Sequence, residues 1–408
     1  MSLLAPALGE TLRPTDRQVA CPGCGAAEMQ PFYAVKEAPV HSVLLMPTRE
    51  VAVEFPRRDI VLASCLRCGF ISNVVFDPSV HSYSSDYEET QGYSAVFREF
   101  HRNLALRLIE KFNLRGKNIV EIGCGKGEFL ALLAELGNNH GTGFDPAFVA
   151  GRNPVKQREN VQFIVDFYSG KYSDVKADFI CCKMTLEHIW NTHEFVSTVR
   201  HSIGNRRDCI VFFQIPNMER VLHDAAFWDV YYEHCSYFTA ASLHQLFERS
   251  GFEVLEIGTE YDDQYLTIFA RPAREMQLDV KPLQSEQADA LLQKTEGFRT
   301  HSENVISGWR TSLDAFIRDR KKVVIWGSGS KGVAFLTALG PAARVDYVVD
   351  INPYRQGKFM AGTGQEIVAP DFLKGYAPDV AIAMNAIYRS EIQKELDRME
   401  LTTTLLTV

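Results

Sequence analysis

Apolar runs alternate with amphipathic segments through the middle and the end of the chain. Each run has the length of a buried strand, and the segments between the runs repeat apolar positions at helical spacing. Strands that are buried on both faces and joined by helices are typical of parallel sheets covered on each side. The pattern therefore predicts an α/β protein with doubly wound sheets, whose ligands lie at the carboxyl ends of the strands.

A glycine-rich turn follows the first strand of the central region, in the stretch NIVEIGCGKGEFL from Asn118 to Leu130. Gly123, Gly125 and Gly127 allow a ligand to approach the backbone amides at the start of the next helix. Asp145 ends the following strand about 20 residues later, where a carboxylate can bind the hydroxyl groups of a ribose.

A third strand ends in the pair Asp166 and Phe167. The carboxylate suits the exocyclic amine of an adenine, and the aromatic ring suits the face of that base. Together with the glycine loop and Asp145, this pair predicts a site for a ligand that carries adenosine.

A second glycine loop lies near the C-terminus, in the stretch VVIWGSGSKGVAF from Val323 to Phe335. Its spacing is G-x-G-x-x-G, and Asp350 ends a strand about 18 residues after the loop, which matches a dinucleotide fingerprint. Only about 90 residues remain from Lys321, however, which is room for one mononucleotide-binding half and not for two.

We interpret this C-terminal segment as the part that binds the nucleotide diphosphate of a substrate. The loop would place a helix N-terminus against the phosphates, and nearby residues would add contacts. The residues predicted to contribute are Gly329, Lys331, Arg355, Lys358, Asn385 and Tyr388. Two alternatives remain, namely a degenerate fold kept for packing and a second cofactor site.

Two CxxC pairs stand near the N-terminus. Cys21 and Cys24 lie in CPGCG, and Cys65 and Cys68 lie in CLRCG. Four thiolates at this spacing fill a tetrahedral zinc ion and leave no open position for a substrate, so we predict a structural zinc site. The alternative is a set of four unrelated buried or redox-active cysteines.

Histidine, glutamate and tyrosine cluster in two stretches that follow the fourth and fifth central strands. TLEHIWNTH contains Glu187 and His188, and DVYYEHCSYFT contains Tyr231, Glu233 and His234. An imidazole near its unperturbed pKa can take up a proton at neutral pH, so the cluster predicts general base chemistry. Each of these residues taken alone also fits a hydrogen-bonded position in a loop or in the core.

The chain of 408 residues is long enough for two or three domains. Its 46% of hydrophobic and 23% of charged residues are the balance of a globular protein. The formal net charge of -8 argues against a nucleic-acid surface. No basic segment precedes the first apolar run, and no run reaches the roughly 18 apolar residues of a membrane span, so we expect a cytoplasmic enzyme.

These features predict four parts of the chain. Residues 1–80 form the zinc-binding module, 81–275 the central α/β core, 276–314 a helical connector and 315–408 a C-terminal α/β domain. The connector is charged and carries an apolar stripe at helical spacing, so we expect a pair of docking helices there. The sequence leaves the oligomeric state open, and a monomer is compatible with it.

The region from Glu121 to about Arg271 resembles a class I S-adenosylmethionine-dependent methyltransferase. Glu121 matches the acid that opens the first motif of that family, and SLHQLFERSGFEVLEI resembles its late helix and strand. The resemblance implies a Rossmann-like core that binds S-adenosyl-L-methionine, with Glu121 among the residues of the cofactor site.

The chain as a whole resembles the nucleotide-sugar C-methyltransferases that act on keto-deoxysugars. The shared features are the four-cysteine zinc module, the methyltransferase core with LEHIW and YYEHCSYFT, and the C-terminal α/β domain. A Tyr-x-Glu-His element lies against the sugar in that family, which implies this position for Tyr231, Glu233 and His234. His188 matches a second histidine of the family's pocket.

The resemblance implies an enolate mechanism. A ketone acidifies the neighbouring C–H, a base removes that proton, and the enolate carbon attacks the methyl group of the cofactor. We assign His234 as the base and Glu233 as the residue that orients it. Tyr231 and His188 would polarise the keto oxygen or relay the proton, and the roles can be permuted among these four residues.

Two further stretches bear on the substrate. YSSDY, which contains Tyr83 and Tyr87, resembles the tyrosine-rich lid that the family places over the substrate. The family usually carries a His-Gly-Gly-Ser-like stretch before its last core strand, whereas this chain has Asp262, Asp263 and Gln264 there. This departure leaves the identity of the sugar open, and the acceptor need not be a sugar.

Three alternatives to sugar C-methylation remain. The methyl group can go to an oxygen or nitrogen atom of a sugar or another small molecule. The enzyme can act on RNA or protein through the zinc module. The glycine loops can also serve a nicotinamide-linked or purely ligand-binding protein.

Overall fold

Three β-sheets form the framework of the protein. The computed structural model describes residues 20–27, 29–80, 84–152, 159–275, 279–340 and 343–408. The predicted lid residue Tyr83 lies outside these described residues. One sheet belongs to the N-terminal module, one to the central core and one to the C-terminal domain.

The N-terminal sheet is antiparallel. Its strands, in order across the sheet, are β1 (Gln30–Pro39), β2 (Arg57–Ser64), β3 (Ile71–Asn73) and β9 (Ser236–Tyr237). A short helix, α1 (Arg49–Val53), connects β1 to β2. Because β9 directly follows the predicted catalytic residues, the N-terminal module holds the loop that carries them.

The central sheet has seven strands. They are β4 (Asn118–Ile122), β5 (His140–Phe144), β6 (Val161–Ile164), β7 (Phe179–Lys183), β8 (Ile210–Pro216), β10 (Phe252–Glu260) and β11 (Tyr265–Pro272). Their order is β10-β11-β8-β7-β4-β5-β6, and β11 is antiparallel to both of its neighbours whereas the other six strands run in one direction. The predicted doubly wound sheet is confirmed, and its strand order reverses between β4 and β7.

The helices of the central part follow its strands in the predicted alternation. They are α2 (Ala95–Phe112), α3 (Glu128–Gly137), α4 (Thr192–Ile203), α5 (Met218–His223) and α6 (Ala240–Arg249). α3 begins directly after the first glycine loop, with Gly127 as its N-cap residue. The loop amides therefore lie at the carboxyl edge of the sheet, where a ligand can reach them.

The C-terminal sheet is entirely parallel. Its strands, in order across the sheet, are β14 (Glu366–Val368), β13 (Tyr347–Val349), β12 (Val323–Trp326), β15 (Val380–Ala383) and β16 (Thr404–Thr407). Its helices are α8 (Ser330–Leu339), α9 (Leu373–Tyr376) and α10 (Arg389–Arg398). The expectation of a single mononucleotide-binding half was wrong, because short connections leave room for strands on both sides of a switch point between β12 and β15.

A single long helix, α7 (Ser285–Arg318), joins the core to the C-terminal domain. It packs Phe298 against Tyr33 of β1, and Trp309 against Phe335 of α8. The prediction of a helix pair was therefore wrong, and the predicted limit at residue 314 falls inside α7. Among the described residues no helix, α7 included, is both long enough and apolar enough to cross a membrane.

Shared apolar cores hold the parts together. One buried cluster contains Tyr33 of the N-terminal sheet, Phe298 of α7 and Val348 of the C-terminal sheet. A second cluster joins Phe70 of the cysteine module to Val120 of the central sheet. Because these cores cross from one part to the next, loss of packing in one part is expected to destabilise its neighbours.

Candidate active site

One cavity of 720 Å³ lies at the carboxyl ends of the parallel strands of the central and C-terminal sheets. Its wall includes Gly123 after β4, Thr185 after β7, Gly327 after β12 and Asn385 after β15. The switch points of the two sheets therefore face the same space. Both glycine loops contribute to one site and not to two separate ones.

The first glycine loop forms one end of this cavity. Gly123 has a φ angle of +69°, and a Cβ atom there would overlap the hydroxyl group of Thr185. Gly125 donates its amide hydrogen to Oδ2 of Asp145 at 2.8 Å, and Oδ1 accepts from the Ala147 amide at 2.7 Å. Burial raises the pKa of Asp145. The loop thus requires glycine at position 123, and Asp145 holds the turn in place.

The other predicted cofactor residues differ in position. Glu121 is buried in β4 and lines the cavity, whereas Gly127 starts α3 outside the cavity wall and lies close to the ring of Phe163. Asp166 accepts a hydrogen bond from the Tyr172 hydroxyl at 2.5 Å. Phe167 also lines the cavity and is 59% exposed, as expected for a residue at its rim.

Two histidines and a tyrosine meet in the wall of the cavity. The ring centroids of His188 and His234 are 4.9 Å apart, and those of Tyr231 and His234 are 4.1 Å apart. His234 is 3% exposed, and its Nδ1 atom has no hydrogen-bond partner among the described residues. Burial, followed by the charges of His188 and Lys331, lowers the pKa of His234 well below its ordinary value. The imidazole is therefore neutral at pH 7 and can take up a proton.

Glu187 places a carboxyl group beside His234. Its Oε1 atom lies 4.0 Å from Nε2 of His234, and neither carboxyl oxygen has a hydrogen-bond partner in the described part of the chain. The residue is 1% exposed, and burial raises the pKa of its carboxyl group to about 8. The amide of Cys235 donates to the Glu187 carbonyl at 3.0 Å, which holds the two loops together. At neutral pH Glu187 carries a proton that it can donate.

Glu233 does not orient His234, in contrast to the prediction. Its carboxylate accepts from the Ser42 amide at 3.0 Å and from the Ser42 hydroxyl, and Nδ1 of His41 lies 3.1 Å from its Oε1 atom. Glu233 does not line the cavity, because consecutive side chains diverge in this turn. Its contacts connect the loop to the N-terminal module, and the carboxyl group beside His234 is that of Glu187.

The second glycine loop forms the other end of the cavity. Ser328 donates its amide hydrogen to Oδ2 of Asp350 at 2.9 Å and its hydroxyl hydrogen to the same atom at 2.5 Å. Asp350 therefore holds this loop in the way that Asp145 holds the first one. Gly329, Lys331 and Arg355 line the cavity at this end.

Basic side chains converge near the second loop. Lys331 pairs with Asp229, and Nη1 of Arg220 lies 3.7 Å from the same carboxylate. Burial lowers the pKa of Lys331, and Asp229 opposes this shift. Arg355 is buried and donates to Oγ of Ser328 at 3.3 Å, and its Nε atom has no hydrogen-bond partner among the described residues. Contact of Lys331 and Arg355 with a phosphate stays a prediction, to which the structure adds Arg220.

The remaining predicted substrate residues connect the parts around the cavity. Asn385 donates to Oε1 of Gln264 at 2.8 Å, and the Tyr388 hydroxyl donates to Oε1 of Gln91 at 2.8 Å. Tyr87 is buried and lines the cavity. The departure from the family at Gln264 is therefore a contact between the core and the C-terminal domain.

Sequence reasoning missed several polar residues of the cavity wall. Lys183, at the end of the otherwise apolar strand β7, and Gln214 of β8 both line the cavity. A lysine in a buried strand is a signal that sequence reasoning can use, because lysine is almost never fully buried without a partner. No local pattern in the sequence indicates Arg220, because tertiary packing brings its helix, α5, to the cavity.

The four predicted zinc ligands come together in the N-terminal module. The sulfur atoms of Cys21 and Cys68 are 3.7 Å apart, and those of Cys24 and Cys65 are 3.6 Å apart. All four sulfur atoms lie within 4.8 Å of one another. A tetrahedral zinc ion with Zn–S bonds of about 2.3 Å separates its sulfur ligands by about 3.8 Å, so the cluster fits this ion.

Several solved methyltransferases are similar to part of the chain. One is the Burkholderia thailandensis 1,6-didemethyltoxoflavin-N1-methyltransferase with bound S-adenosylhomocysteine, at 16% identity and a TM-score of 0.34 over 44% of this chain and 81% of that one. Another is the magnesium protoporphyrin IX methyltransferase of Synechocystis with bound S-adenosylhomocysteine, at 13% identity and a TM-score of 0.35 over 44% of this chain and 84% of that one.

Matches to family models and to a curated relative extend over most of the chain. Residues 87–257 match the methyltransferase domain, and residues 266–406 match the C-methyltransferase C-terminal domain. The C-methyltransferase NovU of Streptomyces niveus is 26% identical over 403 residues, which cover 94% of this chain and 92% of that protein. These matches confirm the predicted class I methyltransferase core. The chain is therefore an S-adenosylmethionine-dependent methyltransferase, in which a methyltransferase domain precedes a region that matches the C-methyltransferase C-terminal domain.

Proposed function

We propose that the enzyme transfers a methyl group from S-adenosylmethionine to a carbon atom of a nucleotide-diphosphate-linked keto-deoxysugar, through an enolate that a base generates. The observation that carries this proposal is one shared cavity, whose wall contains residues of both glycine loops and the two histidines. Its volume of 720 Å³ lies within the range of about 300 to 1,000 Å³ that is usual for ligand sites. Such a cavity accommodates a methyl donor that faces a nucleotide-linked acceptor.

The relatives support carbon as the methylated atom. Residues 266–406 match a domain described for C-methyltransferases, and the curated relative that covers 94% of this chain is called a C-methyltransferase. Methylation at carbon requires a base that removes a proton from that carbon. The neutral, buried imidazole of His234, next to the hydrogen-bond donor Glu187, is suited to this role.

The first glycine loop fits S-adenosylmethionine. Gly123 leaves room beside Thr185, and Asp145, Asp166 and Phe167 line the same cavity. We assign the ribose of the donor to Asp145 and its adenine to Asp166 and Phe167. When bound, S-adenosylmethionine supplies an electrophilic methyl group on its sulfonium sulfur.

Gly123→Ala is expected to raise the Kd of S-adenosylhomocysteine by at least about tenfold, which corresponds to about 1.4 kcal/mol. The added methyl group would overlap the Thr185 hydroxyl and would force the backbone from its left-handed conformation. Calorimetric titration measures the change. Gly170→Ala is the matched control, because no atom lies within 4 Å of the position that a Cβ would take there, and an equal loss in both variants would contradict the assignment of this loop.

The proposed base is His234, whose Nε2 atom lies 4.0 Å from Oε1 of Glu187. Its imidazole accepts the proton of the C–H next to the ketone. The electron pair of that bond forms the enolate double bond, and the negative charge moves to the keto oxygen. When the carbon has taken up the methyl group, the ketone re-forms and His234 releases its proton to solvent.

Three groups in the wall can stabilise the enolate oxygen. Burial raises the pKa of Tyr231 well above its ordinary value, so its hydroxyl keeps its proton and can donate. Glu187 is protonated at neutral pH for the same reason. His188 lies against His234 and offers a further ring nitrogen. Hydrogen bonds that point at the oxygen where negative charge develops are typically the largest contribution to the rate enhancement.

The pH dependence of turnover is expected to report on Glu187. A carboxyl group with a pKa of about 8 can donate while it is protonated, so the rate should be level at neutral pH and fall as the pH rises through about 8. As the pH falls below 6.5 the rate should stay level, because the lowered pKa of His234 keeps its imidazole unprotonated there. Glu187→Gln should lower kcat by about tenfold or more and remove the alkaline fall, and an unchanged alkaline fall in this variant would contradict the role of Glu187.

The second glycine loop is proposed to bind the diphosphate of the acceptor. Lys331 and Arg220 share the carboxylate of Asp229, and Arg355 lies buried beside the loop. Arg220 also contacts Asp224, and Nη1 of Arg355 lies 3.8 Å from Oδ2 of Asp350, so each cation has a carboxylate near it. The proposed diphosphate would bind through the remaining N–H groups of these side chains and the amides of the α8 N-terminus.

The test of this function is direct product analysis. The purified enzyme is incubated with S-adenosylmethionine carrying a ¹³C methyl group and with a panel of nucleoside-diphosphate-linked keto-deoxysugars. We expect a product whose labelled methyl carbon couples to a ring carbon in the NMR spectrum. A label found on oxygen or nitrogen, or transfer only to acceptors without a diphosphate, would contradict the proposal.

We further propose that the cysteine cluster holds a structural zinc ion. Its four thiolates leave no position for substrate, and the cluster lies in the module whose sheet receives β9 after the catalytic loop. The ion would thus hold the loop of Tyr231 and His234 without taking part in the chemistry.

A further inference from the structure

The side chains of the turn that carries His234 point to two sides. The His234 amide donates to the Tyr231 carbonyl at 3.1 Å, which closes the turn. Tyr231 and His234 line the cavity, whereas Tyr232 and Glu233 do not. Glu233 is 1% exposed, so its carboxylate is buried behind the wall of the cavity.

The N-terminal module supplies the partners of this buried carboxylate. Ser42 donates to Oε2 of Glu233 through its amide, at 3.0 Å, and through its hydroxyl group. Nδ1 of His41 lies 3.1 Å from Oε1 of the same carboxylate. Several donors hold a buried carboxylate firmly, because each hydrogen bond that is lost leaves buried charge without a partner. Glu233 does not contact the imidazole of His234, but its contacts fix the turn to which both residues belong.

The Ser42 hydroxyl group also contacts the second glycine loop. Its Oγ atom lies 2.7 Å from Oγ of Ser330, which is the first residue of α8 and lines the cavity. A hydroxyl group can donate one hydrogen bond and accept others, so Ser42 can bond to Glu233 and to Ser330 at the same time. A chain of hydrogen bonds therefore connects the second loop to the turn of the proposed base.

This chain joins two elements that must be aligned for the reaction. His234 is proposed to act on a carbon atom of the sugar, and the second loop is proposed to hold the diphosphate of the same molecule. A base removes a proton only within hydrogen-bond reach, and a misplacement of about 1 Å can lower the rate by about 10²-fold. A side chain that fixes the distance between these elements can therefore control the rate without contacting a ligand.

We propose that Ser42 is a positioning residue that holds the turn of His234 in register with the second glycine loop. Ser42 does not line the cavity, so it acts through its partners Glu233 and Ser330. The inference rests on the proposed function, because it takes His234 as the base and the second loop as the diphosphate site. It gives the N-terminal module a part in aligning base and acceptor.

The test is a double-mutant cycle with kcat as the readout. Ser42→Ala and Ser330→Ala are each expected to lower kcat by about tenfold. The double variant should also lose about tenfold and not about a hundredfold, because both replacements break the same chain. Ser42→Thr keeps the hydroxyl group and should restore kcat. The acceptor is the keto-deoxysugar of the panel that the wild-type enzyme methylates fastest.

Binding constants and a matched control separate positioning from a general loss of structure. Ser42→Ala should leave the KM of the acceptor and the Kd of S-adenosylhomocysteine within about threefold of the wild-type values, because Ser42 contacts neither ligand site directly. Ser328→Ala is the control in the same loop, since the Ser328 hydroxyl group bonds to Asp350 and Arg355. Its loss of kcat/KM should multiply with that of Ser42→Ala.

A measurement without acceptor keeps this inference separate from the proposed function. The full chain is labelled with ¹³C at Cε1 of histidine and bound to S-adenosylhomocysteine, and the NMR signal of His234 is identified by its loss in His234→Asn. Ser330→Ala should shift this signal when Ser42 is present and leave it in place in the Ser42→Ala background. A direct effect of Ser330 on His234 would persist in both backgrounds.

Three results would overturn the inference. They are a kcat that Ser42→Ala leaves unchanged, losses of kcat that multiply in the double variant, and a His234 signal that Ser330→Ala shifts equally in both backgrounds. Absence of turnover with every keto-deoxysugar, together with the expected NMR result, would instead contradict the proposed function and support the link through Ser42.

Discussion

His234→Asn is expected to lower kcat by about 10³-fold and to leave the Kd of S-adenosylhomocysteine unchanged. Proton transfer by a positioned base typically contributes between about 10² and 10⁴ to the rate, and the new side chain cannot take up a proton at neutral pH. His234 lies in the cavity wall with Nδ1 unpartnered among the described residues and its pKa lowered by burial, so it is poised as a neutral base. Single-turnover kinetics with saturating acceptor measure the effect.

His188→Asn is the matched control for this prediction. The two imidazoles lie 4.9 Å apart in the same cavity, so both replacements change the same surroundings. We expect His188→Asn to lower kcat by about tenfold, because the variant loses one hydrogen-bond donor to the enolate oxygen. If His188→Asn is inactive and His234→Asn turns over normally, the role of base passes to His188.

Removal of zinc is expected to unfold the N-terminal sheet and to abolish turnover. Structural zinc sites contribute about 10 to 16 kcal/mol of apparent binding energy in small peptides, so its loss should lower the Tm by more than about 10 °C. The effect should reach the active site, because the Asn73 amide of β3 donates to the Cys235 carbonyl at 3.0 Å, directly after His234. Metal analysis, thermal unfolding and turnover after treatment with a chelator measure these effects.

Cys65→Ser and Cys209→Ala separate the zinc effect from the loss of a buried thiol. Cys65 belongs to the cluster, whereas Cys209 is buried in the apolar core next to it. We expect Cys65→Ser to lose zinc and Cys209→Ala to keep a full equivalent with only a small change in Tm. A protein that contains no zinc when purified without chelator, or a Cys65→Ser variant of unchanged Tm, would contradict the proposed role of the cluster.

The sequence predicted the central fold because local patterns there agree with the tertiary structure. Buried strands, the turn around Gly123 and the acid Asp145 all belong to a single βαβ unit, in which neighbours in sequence are also neighbours in space. The same reason explains why the four cysteines could be assigned, since each CxxC pair is a local turn and the two turns meet.

The errors arose where a side chain's direction depends on distant residues. Glu233 and His234 are adjacent in sequence, but Ser42 of the N-terminal module draws Glu233 away from the cavity. Glu187 takes the place beside His234 because the Cys235 amide ties the two loops together. No local pattern distinguishes these two carboxyl groups.

Domain-level packing accounts for the other differences. An apolar stripe indicates that a helix is amphipathic, but it does not show whether the helix is interrupted, and α7 continues because the N-terminal sheet and α8 both cover it. The length of the C-terminal segment was a poor guide to strand number, since β13 and β14 have only three residues each. Arg220 and Asp229 belong to the core but lie beside the second glycine loop of the C-terminal domain, and the sequence does not show that these two parts are in contact.

The measurement that tests the central claim most directly is hydrogen exchange at the carbon next to the ketone. In D₂O, with S-adenosylhomocysteine in place of the methyl donor, the enzyme should exchange this hydrogen of the nucleotide-linked keto-deoxysugar for deuterium far faster than buffer does, and His234→Asn should not. Methyl transfer by an enzyme that leaves the hydrogen unexchanged under these conditions, or exchange that persists undiminished in His234→Asn, would contradict an enolate formed by this histidine.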